Sequence, residues 1–482
     1  MTTIKKLFLL IGILAIGACT KDFGDINTNP NAPIDANPNL LLRRVLYDYG
    51  EQMSYEGFTA GNLLGQYFTM VDFNLFDRHS LTDPQLGGNP WPVIYSNLRD
   101  NEILLKKSRE NIAFSVYEGP ALILKAYMSA ALTDLYGDVP YSEALQGAEG
   151  NVTPAYDAQE AIYTGPDGIL ANLDKAIALL QNYTGAQAIG GDILFNGNRN
   201  AWIAFANSLK IKYLMRISAR RDVSAELQAI YDGGNYQKTN AQNAVFSFTD
   251  GAPNNFRMAT LRAGDFNLYI MSQTAEEIFK GLNDPRIGVF YRPVGSDATQ
   301  TQYKGLLNGP NAAATSITVA NFSLTGRIFR ENTARMKANF MTAWETQFFL
   351  AEAAEKGLIT ANAQTLYETG VALAFEYWQT PLPADYLTGA AAYGQNGANK
   401  LEQIVTQKWI ANTVNGYEGW IEFRRTGFPQ LKTVQASLNN NLYPVRMSYP
   451  TDEAALNNAN FSEAAAKTGN NSFNTAVWWD VN

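Results

Sequence analysis

The chain has one cysteine, Cys19, and one histidine, His79, among 482 residues. A single thiol closes no internal disulfide, so the fold must rest on an ordinary apolar core. Metal sites built from His and Cys, Ser-His or Cys-His nucleophile systems and H-E-x-x-H helices all need more of these residues than the chain owns. The phosphate-cradling G-x-x-x-x-G-K-S/T loop is absent, as are G-x-G-x-x-G and G-x-S-x-G. Any catalysis would have to rest on carboxylates, and the expectation is no enzyme, no metal and no cofactor. Asp25-Ile26-Asn27-Thr28-Asn29 imitates a calcium loop, but Pro30 stands where Gly is needed and Ala36 where the bidentate Glu is needed.

Charge is scarce as well. Charged residues make up 17%, against roughly 25% in ordinary globular proteins. The formal net charge is −8, which argues against nucleic-acid binding, where a basic patch supplies most of the affinity. Aromatics are plentiful instead, with 25 Tyr, 25 Phe and 8 Trp.

The longest apolar run is Leu7 to Ala18, behind Lys5 and Lys6 and ahead of Cys19. It is too short for the roughly 20 residues of a membrane-spanning helix. A charged start, an apolar middle and the small residues Gly17-Ala18 read as an export signal over residues 1–18. Cys19 stands directly after those small residues, as in a bacterial lipobox, so acyl chains on its sulfur would hold the protein at a membrane surface. Residues 19–39, rich in Asp, Asn, Thr and Pro, form an extended linker, because Pro30, Pro33 and Pro38 exclude regular helix. Residues 40–482 are expected to form one helical body.

Apolar stripes at helical spacing predict helices over Leu40 to Gln52, Trp91 to Arg109, Gly119 to Leu135, Ala158 to Gln181 with a break at Gly165-Pro166, and Asn200 to Arg220. Gly137 is expected to cap the third in the left-handed conformation. From Asn240 to about Ala338 the periodicity fails, apart from a short helix near Met271 to Leu282 and strand-like pieces at Ala244 to Phe248 and Ile317 to Phe322. Helices return over Phe340 to Lys356, Ala363 to Trp378, Lys400 to Val414 and Gly419 to Arg425. The pair ending at Trp378 takes about 38 residues, near the 34 of a tetratricopeptide (TPR) unit. The fold class is therefore all-α: a TPR-like helix-hairpin scaffold with long irregular loop insertions, chiefly about 240–338, and minor short strands.

Between Gln66 and Trp91 lies an aromatic stretch with neither helical nor strand period, which reads either as an irregular connection whose rings plug the core or as a ligand-facing loop. Rings offer flat apolar faces to sugars, while Asp and Arg side chains take their hydroxyls. The candidate ligand residues are Tyr67, Asp72, Phe73, Phe76, Arg78, His79 and Trp91, joined by Tyr291 and Tyr303 in the long loops. Glu418, Glu422, Arg424 and Arg425 are expected to form ion pairs or caps near Trp409 and Trp420, and Glu352 and Glu355 a solvated or hydrogen-bonded helix face.

Several blocks together resemble a known family. They are the Asp25 to Pro30 segment, Leu124 to Gly147 (LKAYMSAALTDLYGDVPYSEALQG), Ser208 to Ser218 (SLKIKYLMRIS), Asp284 to Ile287, Met341 to Gly357 (MTAWETQFFLAEAAEKG), the stretch QKWIANTVNGYEGWIEFRRTGFP up to Pro429, and Tyr443 to Pro450 (YPVRMSYP). The chain resembles the SusD/RagB-like nutrient-binding lipoproteins of Bacteroidetes outer membranes, in particular their second SusD-like subgroup. The resemblance implies a helical body with TPR-like pairs and a ligand site built from inserted loops. It implies a partner too, a SusC-like TonB-dependent outer-membrane transporter that receives an oligosaccharide or peptide. Lys21 and Asp22 behind Cys19 look like a surface-export signal, which points the lipid-anchored protein to the cell exterior. Competing readings are a carboxylate-dependent glycoside hydrolase and a pure TPR-like interaction scaffold.

Overall fold

A computed structural model describes residues 36–82, 86–296, 301–311, 313–314 and 316–482. The expected export signal, Cys19 and the linker up to residue 35 lie outside them, as do Asp83 and Pro84.

Helix α1 (Pro38–Glu56) starts where the Asn37 side chain accepts the Asn39 N–H and Pro38 fills the first turn with a preset φ. It buries the expected stripe of Leu41, Val45 and Tyr49. Helices α2 (Pro90–Glu110) and α3 (Glu118–Tyr136) follow. Gly137 ends α3 with φ +81 and ψ −125, open to glycine but outside the left-handed cap that was expected. A short helix, Gln159–Thr164, is separated from α4 (Ile169–Asn182) at Gly165 and Pro166, as expected. Then come α5 (Arg199–Ile217), α6 (Ser224–Gly233), α7 (Gln273–Gly281), α8 (Ala343–Glu355), α9 (Ala363–Tyr377), α10 (Lys400–Ala411), α11 (Glu418–Thr426) and α12 (Asn458–Lys467). Successive helices from α1 to α5 pack on one another, α5 passes the packing to α8, and α8 packs against α9 and α10. This is the expected all-α scaffold of TPR-type helix pairs.

Among the described residues the strands are short and pair antiparallel. Strand β1 (Phe68–Met70) pairs with β5 (Tyr269–Met271), β2 (Val139–Pro140) with β3 (Tyr156–Asp157), and β4 (Ala244–Ser247) with β6 (Lys337–Met341). Two expectations are corrected. Ile317 to Phe322 is not a strand but holds a 3-10 turn at Val319–Asn321. Phe340 and Met341 belong to β6 rather than to α8, which begins after Thr342 caps the Glu345 N–H.

The scaffold is locked by charge as well as by apolar packing. Glu422 of α11 pairs with Arg216 of α5 (2.8 Å), Lys408 of α10 (2.5 Å) and Arg425 (2.7 Å). Arg216 also meets Asp134 of α3 and Glu418, and Lys212 joins Glu345 of α8 to Glu418. The expected ion pairs of α11 are therefore present, and they are interior. Glu355 is half-buried and accepts the Tyr393 hydroxyl, but Glu352 is only 1% exposed and pairs with Arg425 and Lys356. Burial would raise the Glu352 carboxyl, yet Arg425, Lys356 and Lys408 hold it down at about 2. A buried charge persists only when paired in this way.

Candidate ligand-binding face

The end of α1 sets up the loop face. Its last turns pass into a π-helical turn, Gly57–Gly61, and a Cβ on Gly61 would lie 2.0 Å from the Gly416 carbonyl oxygen. Glycine there lets this segment sit directly on the turn before α11. The chain then enters β1 and a loop, residues 71–82, that is organised around one buried carboxylate.

That carboxylate is Asp77. It accepts the Thr69 hydroxyl (2.7 Å), the Met70 N–H (3.2 Å), the Asn308 amide (2.6 Å) and the Gly309 N–H (2.8 Å). Burial pushes its carboxyl up to about 6, against the four donors that favour the anion. Asn74 adds a bond to the Pro310 carbonyl (2.6 Å). The stretch at 308–309 in turn accepts from Gln435 N and Ala436 N, while Leu438 N donates to the Arg78 carbonyl (2.7 Å) and Arg78 Nε to the Ala436 carbonyl (2.8 Å). Three loops, about 71–82, 301–311 and 434–442, thus meet at one place.

The predicted residues divide by depth. Tyr67 is buried: its ring stacks on Trp409 at 4.1 Å and 6°, and its hydroxyl donates to the Trp409 carbonyl. Tyr291 is buried beneath it and donates to the Tyr67 carbonyl (2.8 Å). Phe76 is packed in the core under Gly88. Trp91 is buried at the start of α2 against Tyr95 and Tyr136. His79 is buried, with Nδ1 3.2 Å from the Leu442 carbonyl, and burial pushes its pKa down to about 4, leaving it neutral. These five rings are withdrawn from direct ligand contact, because each is enclosed by the core it helps to fill.

Four of the predicted residues remain accessible. Asp72 and Phe73 are exposed, Phe73 by 50%. Phe73 sits at φ +51 with its N–H donated to the Asp72 carboxylate. Arg78 is half-buried. Tyr303 is half-buried and lines a cleft of 760 Å³ with Gln273, Gln302, Lys304 and Asn321. The lining stretch from Gln302 to Leu307 leads straight into Asn308 and the Asp77 junction. Sequence reasoning missed Leu438 and Leu442, exposed apolar residues flanking Asn440 and Asn441 at φ +52 and +62. Asparagine adopts this left-handed region more readily than other non-glycine residues, so the pair marks a tight turn, as Asn470 and Asn471 do elsewhere. A second concavity of 740 Å³ lies between Ile112, Leu122, Leu179 and Tyr183, with Arg109, Glu118, Lys175 and Asn182 among its polar lining. Among the described residues no cluster of His, Cys, Asp and Glu is arranged to hold a metal, and no helix is long and apolar enough to cross a membrane.

Helix pairs stapled by interior charge, carrying an aromatic and amide-rich loop face, define a class of helical scaffold. The family of starch-binding proteins associating with the outer membrane, in its second SusD-like group, matches residues 30–450, and the chain belongs to that family. Solved structures agree in fold. A SusD homologue of Bacteroides fragilis is 25% identical over 92% of this chain and 99% of its own, with a TM-score of 0.78. One from Bacteroides uniformis is also 25% identical, over 92% and 99%, at 0.74. A chitin-binding SusD homologue of Flavobacterium johnsoniae is 24% identical over 92% and 98%, at 0.76. No curated protein matches the chain.

Proposed function

We propose that this chain is a lipoprotein anchored through Cys19 on the outer surface of the outer membrane, where it binds an oligomeric nutrient, a glycan, and hands it to a TonB-dependent transporter. The observation that carries the reading is Phe73. An exposed ring held in a strained backbone conformation beside a carboxylate, on a loop joined through Asp77 to the stretch that lines a polar cleft, suits a sugar's apolar face and its hydroxyls. Asp72, Phe73, Arg78 and Tyr303 are the contacts, Tyr67, Phe76, His79 and Tyr291 pack the core around them, and Trp91 packs apart against Tyr95, Tyr136, Tyr156 and Tyr449. Membership of a family described as starch-binding, and a neighbour described as chitin-binding, support a glycan over a peptide. Hydrolysis would need two carboxylates facing the ligand about 5–9.5 Å apart, and Glu352, Glu418 and Glu422 are occupied by buried cations.

The test has two arms. Isolated from native outer membranes in mild detergent, the protein should bring a TonB-dependent barrel with it in near-equal amount. Recovery alone, from membranes that contain such barrels, would count against delivery. Titrated with maltoheptaose and chitohexaose, the purified protein should bind at least one and leave it uncut; release of shorter sugars would favour the hydrolase.

A further inference from the structure

We infer that Asp77 is the positioning residue of the ligand face, a buried clasp that fixes three separate loops relative to one another. The inference rests on the binding role proposed above. Asp77 lies four residues after the exposed Phe73 and directly before Arg78, so whatever fixes its carboxylate fixes the loop that presents both. Its donors come from elsewhere: Thr69 and Met70 on β1, and Asn308 and Gly309 on the loop whose preceding residues line the cleft. Asn308 also donates to the Phe68 carbonyl (2.8 Å), which ties the same junction to β1 a second time. The loop at 434–442 hangs on it through Gln435, Ala436 and Leu438.

The Asp77 side chain receives bonds from two separate segments, β1 and the 308–309 turn, and the third loop joins through the backbone of that turn and of Arg78. Burial makes the arrangement stringent, since an acceptor removed here strands donors that water does not reach. Asn308 is 1% exposed and Asp77 likewise. The apolar core below, Phe68 and Tyr291 among it, gives the loops a floor but no lateral register. The Asp77 junction supplies that register, and Phe73 and the Tyr303 cleft keep a fixed separation because of it.

Hydrogen exchange and binding on the full protein test this with Asp77→Ala and Asn308→Ala, which break the clasp from opposite sides. In either variant, amides in 71–82, 305–310 and 434–442 should exchange faster together, by about tenfold or more, while α3, α5 and α8 keep their protection. Affinity for whichever of maltoheptaose or chitohexaose binds the wild type should fall by about tenfold, and the double variant should lose little more than either single one. Faster exchange confined to the residues beside the substitution would overturn the clasp. So would loosened loops with unchanged affinity, or additive losses in the double variant. If Asp77→Ala does not fold, Asn308→Ala alone decides through the same three exchange rates. A wild-type protein that binds neither sugar would sink the functional reading for those probes, and the clasp would then stand or fall on the exchange rates alone.

Discussion

The helical scaffold and the loop face handle polar groups in opposite ways. Inside the scaffold, carboxylates of α3, α8 and α11 face cations of α5, α10 and α11, so that Asp134, Glu345, Glu352, Glu418 and Glu422 stand against Lys212, Arg216, Lys408 and Arg425. In the loop face the central carboxylate, Asp77, is held by a hydroxyl, an amide and two backbone N–H groups. Opposite charges fix helix against helix at a few points with strong directional preference. Neutral donors fix loops without leaving a strong field at the surface, which suits an uncharged ligand. A chain with only 17% charged residues still places a connected cluster of them where it orients helices.

The largest effect should come from breaking the scaffold side of this contrast. Glu422→Ala takes one carboxylate from Arg216, Lys408 and Arg425, leaving Asp134, Glu418 and Glu352 to balance them, and loss of one partner from a buried ion cluster costs about 3–5 kcal/mol. Urea unfolding should show that loss; a change below about 1 kcal/mol would mean that the cluster does not hold the helices.

Acidity separates Glu352 from Asp77 by sign, although burial also raises Asp134 and Glu345 within the scaffold. Glu352 titrates at about 2 in the fold instead of the ordinary 4.5. Between those values the unfolded chain binds more protons, so the stability this group adds is complete above about pH 4.5 and is lost as pH falls towards 2. Asp77 is the reverse: its carboxyl sits at about 6 instead of 3.8. There the folded chain binds more protons, and its contribution falls as pH rises from about 4 to 6. Urea midpoints followed from pH 7 to 2.5 should drop steeply at the acid end, and Asp77→Asn should flatten the 4-to-6 region while leaving the acid drop intact. A midpoint that stays level down to pH 2.5 would contradict the paired state of Glu352.

The helices were legible because each buries a stripe that the sequence displays at intervals of three and four: Leu41, Val45 and Tyr49 lie in the core as their spacing demanded. The start of α8 was misread because Phe340 and Met341 continue its apolar stripe backwards into β6; the better signal was Thr342, a capping residue three positions before Glu345. Helices α6 and α12 carry little buried apolar surface, so no stripe announced them. Glu352 looked like a surface residue because its partner Arg425 is 73 positions away. The loop face fails for the same reason in sharper form. Nothing local says that Tyr67 is covered by Trp409, 342 residues on, while Phe73 is left open. The Asn308-Gly309-Pro310 turn was a visible punctuation mark, but its bond to Asp77 spans 231 positions.

The smallest effect is also the most discriminating for the face itself. Phe73 is half exposed at φ +51, and an L-residue in that region costs about 1–2 kcal/mol. Phe73→Gly removes the strain, partly offset by glycine's extra chain entropy of about 0.5–1 kcal/mol, so its urea midpoint should equal or slightly exceed that of the wild type. Phe73→Ala keeps the strain and loses the ring. If the ring is a sugar platform, both variants should lose affinity by the same amount, about 0.5–1.5 kcal/mol or roughly two- to tenfold, although their stabilities differ in direction. A ring that served only to pack the loop would give the opposite pattern: stability would fall in both, and affinity would follow stability. Equal losses of affinity beside unequal stabilities would place Phe73 on the ligand side of the comparison, where its exposure already sets it apart from every ring beneath it.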